Sequence, residues 1–341
     1  MRALIIGAGA VGRYIAARLQ LAGHDAVLFA RAQAAGTRAG GYRVEFEGTA
    51  RDVNVPVAVA AGDAPLQAPF ELAVVAVKAF ATAGAIETIR AISACDAATL
   101  LTVQNGLGNE EQLAGAFSAD RIVAGALTTA VDRTSAGAIV ASHKGGLALA
   151  PVGALPHNWL IAAIGQTGMR VDAAADWRAL KWSKLLINIQ ANAVCAILDW
   201  TPEQLYRDKM AFAIERRCTL EATMVMDAAR ITPVALPGFP VPLLAAAART
   251  LPEPMLRYVL ASRVARARGG KLPSLLIDAR AHAQRTEVDA LNGAIAVHAL
   301  RAGRSAPANA AVAETLDGII GGSIPWDDVR GKPAALASRI G

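Results

Sequence analysis

The stretch Ala3-Leu4-Ile5-Ile6-Gly7-Ala8-Gly9-Ala10-Val11-Gly12 sets an apolar run directly before three glycines spaced G-x-G-x-x-G. The run reads as a β-strand, and Tyr14-Ile15-Ala16-Ala17-Arg18-Leu19 beyond it reads as an amphipathic helix. Gly7 permits a tight turn, Gly9 lets backbone N–H groups approach a pyrophosphate, and Gly12 lets the helix pack against the strand. Ala8, Ala10 and Val11 complete a loop whose amides, gathered at a helix N-terminus, suit an anion. The combination implies a βαβ unit that binds a dinucleotide. A secretory leader fits poorly, because Arg13 and Arg18 interrupt the segment on helical spacing.

The next strand, Ala26-Val27-Leu28-Phe29, should run parallel to the first and bring its C-terminal end beside an adenosine ribose. A site for NAD usually places Asp or Glu there. Here Arg31 follows, with Arg38 close in sequence. A guanidinium suits a 2'-phosphate through charge-assisted, often bidentate contacts, so NADP(H) is favoured over NAD.

At 341 residues the chain is long for one core, and two domains are expected. The net charge of +6 is spread without a basic run, and aromatics make up only 5% of the chain, which disfavours nucleic acid as a partner. A small anionic ligand accounts for the charge more economically. The longest apolar stretch, Leu185 to Leu198, contains Asn188, Gln190 and Asn192 and is too short and polar to span a bilayer, so no membrane partner is expected. Cys95, Cys195 and Cys218 form no CxxC pair and no cluster with the five histidines. They read as buried thiols in a cytoplasmic protein with no metal.

Short apolar runs alternate with helical stretches from Met1 to about Val131, which predicts an α/β domain around a parallel sheet. Strands are expected at Ala3 to Ile6, Ala26 to Phe29, Leu72 to Val77, Thr99 to Val103 and Ile122 to Ala126. Tyr42 to Phe46 and Val53 to Val57 alternate with period two and read as a hairpin-like excursion, with Pro56 near an edge. Alternation resumes from Ile139 to Ala150. Pro151 to Pro156 then marks a hinge, which divides the chain into residues 1–155, a Rossmann-type NADP-binding domain, and residues 156–341, an all-α substrate-binding domain. A homodimer is compatible with such a helical second domain.

Several residues could carry chemistry. Lys184, Asn188 and Asn192 recur every four residues and would form one polar stripe on an otherwise apolar helix. A lysine and two amides aligned in this way could bind a 2-oxo acid, with the ammonium giving its proton to the carbonyl oxygen. A solvated helix face that includes Lys181 explains the spacing equally well. Ser274 could donate to a carboxylate or hydroxyl. Glu287 could balance an ammonium or hold a ribose, or could be the glutamate of a helix start. Lys78 and Asn105 follow apolar runs at the C-terminal ends of strands, the edge that faces the ligand crevice in an open parallel sheet. A helix-starting lysine and an ordinary Asn-Gly turn are the plain alternatives.

Taken together, Gly7 to Gly12, Val77-Lys78, Gln104-Asn105-Gly106-Leu107-Gly108, Trp182-Ser183-Lys184-Leu185 with Asn188 and Asn192, and Arg285-Thr286-Glu287-Val288-Asp289 with Asn292-Gly293 resemble the ketopantoate reductase family. The order and approximate spacing match over nearly the whole chain. The resemblance implies NADPH-dependent reduction of 2-dehydropantoate to pantoate, in the route to pantothenate and coenzyme A. It implies that Lys184 is the general acid and that Asn188, Asn192 and Ser274 bind substrate. By the same resemblance Lys78, Asn105 and Glu287 contact cofactor and help close the site, and the Thr128-Thr129-Ala130-Val131 loop places Val131 at its nicotinamide side. This chain differs in having Ala193 where many relatives have proline, Pro202 where the family often places an asparagine, and one extra residue between Ser274 and Glu287. A reductase of another 2-oxo acid, an opine-type dehydrogenase and a non-catalytic NADP sensor remain as alternative readings.

Overall fold

A computed structural model describes residues 1–30, 40–46, 48–268 and 272–340, without the side chains of 262–268. Arg31 and Arg38 lie outside the described residues. The chain separates into two compact units. The first comprises Met1–Gln104, Gly108–Lys181 and Leu236–Phe239, and the second comprises Asn105–Leu107, Trp182–Ala235 and Pro240–Gly341. The main division thus falls after Lys181 and not at the expected 155/156, because Leu160 and Ile164 still join the first core and Val171–Ala173 still pairs in its sheet.

The first unit is built on an eight-stranded sheet. Its strands are β1 (Arg2–Ile6), β2 (Asp25–Phe29), β5 (Val57–Ala58), β6 (Leu72–Val75), β7 (Thr99–Thr102), β8 (Ile122–Leu127), β11 (Leu147–Pro151) and β12 (Val171–Ala173). Their order is β12-β11-β8-β7-β6-β1-β2-β5. Pairing is parallel from β5 through β8, whereas β8 and β11 run antiparallel. The sheet is therefore mixed at one side rather than wholly parallel.

Alternate residues explain why the strands read as unbroken apolar runs. Ala3, Ile5, Leu28, Leu72, Val74 and Leu101 join one buried cluster with Tyr14, Ile15 and Leu19 of helix α1 (Ala10–Leu21). Leu4, Ile6, Val27, Ala73, Val75 and Leu100 join another with Ile86 and Ile89 of α2 (Thr82–Ala91). Both faces are covered, as a parallel sheet requires. The expected excursion is a four-stranded sheet, but β3 (Gly41–Phe46) pairs antiparallel with β4 (Thr49–Asn54) rather than with the whole of Val53 to Val57, since Val57 joins β2 in the larger sheet. Strands β9 (Val131–Arg133) and β10 (Ile139–Ala141) complete the order β4-β3-β10-β9. Pro56 immediately precedes the edge strand β5 of the larger sheet, where a missing N–H costs least. The unit also holds α3 (Asn109–Ala114) and α4 (Asn158–Gly165).

Helix α5 (Trp177–Asn188) runs through the division, with Trp177–Lys181 in the first unit and Trp182–Asn188 in the second. The second unit continues with α6 (Ala193–Leu198), α7 (Pro202–Arg207), α8 (Lys209–Ala228), α9 (Val241–Thr250), α10 (Glu253–Arg268), α11 (Ser274–Arg280), α12 (Asn292–Arg301), α13 (Pro307–Gly321), α14 (Trp326–Val329) and α15 (Pro333–Ile340). The six residues of α6 are all buried. Proline at N1 gives α13 a preset φ but no side-chain cap of its own. Glu221 of α8 accepts the Ala308 and Asn309 N–H groups instead, both at 2.9 Å, and so answers two orphan donors and the positive end of the helix dipole. No helix among the described residues is long and apolar enough to cross a membrane.

Candidate functional site

In the first unit the glycine loop follows β1 and opens α1. Gly7 has φ +115°, a conformation suited to glycine, and an added Cβ would lie 2.8 Å from the Ala76 backbone. A Cβ at Gly12 would run into the Gly7 carbonyl, so these two glycines are demanded by the turn and by the helix packing on β1. Gly9 is different. It has an ordinary φ of −76°, and an added Cβ would meet nothing within 4 Å among the described residues. Packing among those residues does not require glycine there, and its missing side chain leaves space at the mouth of α1. Among the described residues no side chain caps that helix, and no acidic residue occupies its first turn. Ala10 and Val11 lie in the first turn, where backbone N–H groups have no intrahelical acceptor. This arrangement fits a phosphate or pyrophosphate group.

Lys78 is exposed, in extended backbone just beyond β6, and begins the short turn Ala79–Ala81. Val131 is half-buried at the start of β9, where it pairs with Ala141. Lys78 thus lies beyond a strand end of the first unit, and Val131 is the first residue of a strand. A buried ionic cluster lies at the C-terminal end of β7. Lys181 donates to Gln104 O at 2.6 Å and sits 2.9 Å from Glu110 Oε1, which also accepts from Thr102 Oγ1 at 2.8 Å. Gln104 Nε2 donates to Thr82 Oγ1 at 2.8 Å. Lys181 is thus not part of a solvated helix face, because Glu110 and a strand-end carbonyl replace its water.

In the second unit Lys184 is half-buried near the middle of α5. The helix is oriented on either side of it. Trp182 packs edge-on against His298 with ring centroids 5.3 Å apart, and Ser183 Oγ accepts the Val234 N–H at 2.8 Å. Burial, with a smaller contribution from Arg301, lowers the His298 pKa and favours the neutral ring. Asn188 lies one turn after Lys184, and its Nδ2 donates to Asn105 Oδ1 at 3.0 Å. Asn105 is brought here by the Leu107 N–H, which donates to Ala290 O at 3.0 Å.

The single polar stripe is corrected by the structure. Helix α5 ends at Asn188, Ala191 turns left-handed with φ +46°, and Asn192 stands at the N-cap position of α6 instead of continuing α5. The physical cause is a competing acceptor: the Ala191 N–H leaves the helical pattern and donates to the Glu215 carboxylate of α8. Asn192 nevertheless returns to its neighbours. Its Nδ2 donates to Asn188 O at 3.0 Å, and its Oδ1 accepts the Leu275 N–H at 3.1 Å. The bond to Leu275 sets the residue beside Ser274, which is exposed as the first residue of α11. Asn105, Asn188, Asn192 and the start of α11 thus form one hydrogen-bonded run.

Glu287 is buried and precedes the short turn Val288–Ala290, so it is not the third residue of a regular helix. Burial raises the Asp317 carboxyl to about 7, assisted by a hydrogen bond and the charge of Asp289 and opposed by Arg285. In the stretch between α11 and Glu287, His282 is left-handed with φ +50°. Sequence patterns did not reveal Glu110, Glu215 or the burial of Lys181. Their partners lie on other elements, and no local spacing signals them.

Comparison with known proteins gives two family matches, Ketopantoate reductase PanE/ApbA over residues 3–153 and Ketopantoate reductase PanE/ApbA C terminal over residues 176–319. The chain is 30% identical over 240 residues to the 2-dehydropantoate 2-reductase of Halobacterium salinarum, covering 67% of this chain and 76% of that protein. The crystal structure of 2-dehydropantoate 2-reductase from Geobacter metallireducens GS-15 superposes with a TM-score of 0.77 at 25% identity, covering 93% of this chain and 99% of the other. The ternary structure of D-mandelate dehydrogenase with NADH and anilino(oxo)acetate has a TM-score of 0.78, covering 94% and 99% of the two chains. At 18% identity that likeness concerns the fold.

Proposed function

The chain belongs to the ketopantoate reductase family of oxidoreductases, and from that premise we propose that it reduces ketopantoate to pantoate with NADPH, on the route to pantothenate. The observation that carries the reading is the run from Asn105 through Asn188 to Asn192, which gathers polar side chains around the half-buried helix that bears Lys184. A surface helix with no ligand to serve would gain little by burying amides in this way.

NADPH, when bound, supplies the hydride that adds to the carbonyl carbon of the 2-oxo acid. The Gly7 to Gly12 loop would hold the pyrophosphate where Gly9 leaves it open, and Arg31 would meet the 2'-phosphate. Lys78 and Val131 of the first unit, and Glu287 of the second, are the residues that the family resemblance assigns to the remainder of the nucleotide. Lys184 keeps a proton for the carbonyl oxygen and releases it as negative charge develops there. Asn105 and Asn188 orient the carbonyl and hydroxyl groups, while Ser274 donates to the carboxylate. Anchoring the substrate at its charged end fixes the carbonyl against Lys184 and removes much of the entropic cost of the reaction.

The test is NADPH oxidation with ketopantoate against smaller and larger 2-oxo acids, with and without amino acids, and with NADH in place of NADPH. Turnover of ketopantoate in preference to the others, independent of amine and faster with NADPH, is the expected result. Turnover only with an added amine, or with no 2-oxo acid at all, overturns the reading.

A further inference from the structure

Glu215 belongs to α8, far in sequence from every motif that resembles the family, yet its carboxylate reaches the turn between α5 and α6. The side chain is 2% exposed, and its Oε1 accepts the N–H of Ala191, a residue that is itself fully buried and left-handed at φ +46°. Burial costs the carboxyl its water, and the left-handed conformation crowds the alanine Cβ against the backbone. The turn is braced again next door, where Gln190 Nε2 donates to Thr219 Oγ1 at 2.9 Å and to Leu186 O at 3.1 Å. Thr219 lies one turn after Glu215 and returns its hydroxyl to the Glu215 carbonyl at 3.1 Å.

This clamp fixes the direction in which Asn192 leaves the turn. Asn192 is 5% exposed and has its amide engaged at both ends, to Asn188 O and to the Leu275 N–H. A shift of Ala191 would be passed directly to Asn188 and to the first turn of α11, which begins with Ser274. We infer that Glu215 is a positioning residue of the substrate site, which holds the left-handed Ala191 so that Asn192 can join Asn188 to the start of α11. This inference rests on the proposed reductase reading for its kinetic consequence, but not for its structural one.

Two readouts separate these consequences. Hydrogen exchange at the Ala191 and Asn192 amides is expected to be at least about tenfold faster in Glu215→Ala, because the acceptor is gone. The KM for the 2-oxo acid should rise about tenfold with NADPH affinity unchanged, since misplacement of substrate-orienting groups by a fraction of an ångström is felt in binding and rate. Glu215→Gln, which keeps an acceptor oxygen, should recover most of both losses. Ala191→Gly in the Glu215→Ala background should recover part of the KM, because glycine enters the left-handed region without steric cost.

If Glu215→Ala does not fold, Glu215→Gln is compared with the parent: its neutral oxygen is the weaker acceptor, so Ala191 exchange and the substrate KM should both rise by a smaller factor, and unchanged exchange overturns the inference. Unchanged amide exchange in a folded Glu215→Ala chain overturns the inference. So does a loss shared equally between NADPH affinity and substrate KM, or a Glu215→Gln defect as large as that of alanine. A parent chain that turns over no 2-oxo acid sinks the reductase reading alone, because the exchange experiment still decides whether Glu215 sets the turn.

Discussion

The Lys181 ammonium lies 2.9 Å from Glu110 Oε1, and the two side chains are 1% and 0% exposed. Removing one member of such a pair strands the other as a buried charge, which costs about 3–5 kcal/mol. Glu110→Leu and Lys181→Met are each expected to lower the unfolding free energy, read from urea denaturation, by an amount of that order. Combining Lys181→Met with Glu110→Leu should lose less than the sum of the two single losses, since no charge is then left behind. A strictly additive double-mutant cycle would show that the pair is not coupled.

That pair also shows where sequence reading stops. The strands were legible because each buries both faces: Leu72 to Val75 contributes alternate side chains to two clusters, so the run is apolar throughout. The glycine loop was legible because its spacing meets local steric demands at Gly7 and Gly12. Lys181 was not, because its partner Glu110 lies on another element, and a lysine near the middle of a helix looks the same in sequence whether it meets water or a carboxylate. Asn192 left the expected stripe for a similar reason. Helical periodicity assumes that each N–H finds its acceptor one turn back, whereas Ala191 finds Glu215, 24 residues away. The antiparallel pairing of β8 with β11 was likewise hidden, since an apolar strand carries no mark of its direction.

Gly9 and Gly12 should respond oppositely to the same methyl group. Gly12→Ala drives a Cβ into the Gly7 carbonyl and is expected to destabilise the fold by about 1–3 kcal/mol, read as a fall in melting temperature. Gly9→Ala adds a Cβ where nothing among the described residues lies within 4 Å, so its melting temperature should stay close to that of the parent. Its cost should appear in NADPH affinity, with Kd about tenfold weaker, or about 1.4 kcal/mol. Equal affinity in Gly9→Ala would mean that no phosphate group approaches that face of the loop.

Lys184→Ala tests the proposed proton donor. Loss of a general acid typically costs about 10²–10⁴-fold in rate. The expected outcome is a fall in kcat of that size, with NADPH affinity measured by fluorescence left unchanged. Chemical rescue by small primary amines would tie the loss to the missing ammonium. A variant that loses cofactor affinity and turnover together would assign Lys184 to nucleotide binding instead.

Asp317 gives a pH dependence whose sign can be worked out. Burial first, and then the hydrogen bond and charge of Asp289, raise its carboxyl from an ordinary value of 3.8 to about 7 in the folded chain. Between those two values the folded state holds a proton that the unfolded state has released. Stability must therefore fall as pH rises through that window, with the full penalty present above about pH 7 and none below about pH 4. Asp317→Asn keeps a hydrogen-bonding side chain but cannot ionise, so its melting temperature should exceed that of the parent at pH 8 and approach it at pH 4. The difference should grow steadily between the two. Parallel melting curves for the two chains across this range would show that Asp317 does not titrate there, and that its pairing with Asp289 leaves both carboxylates ionised.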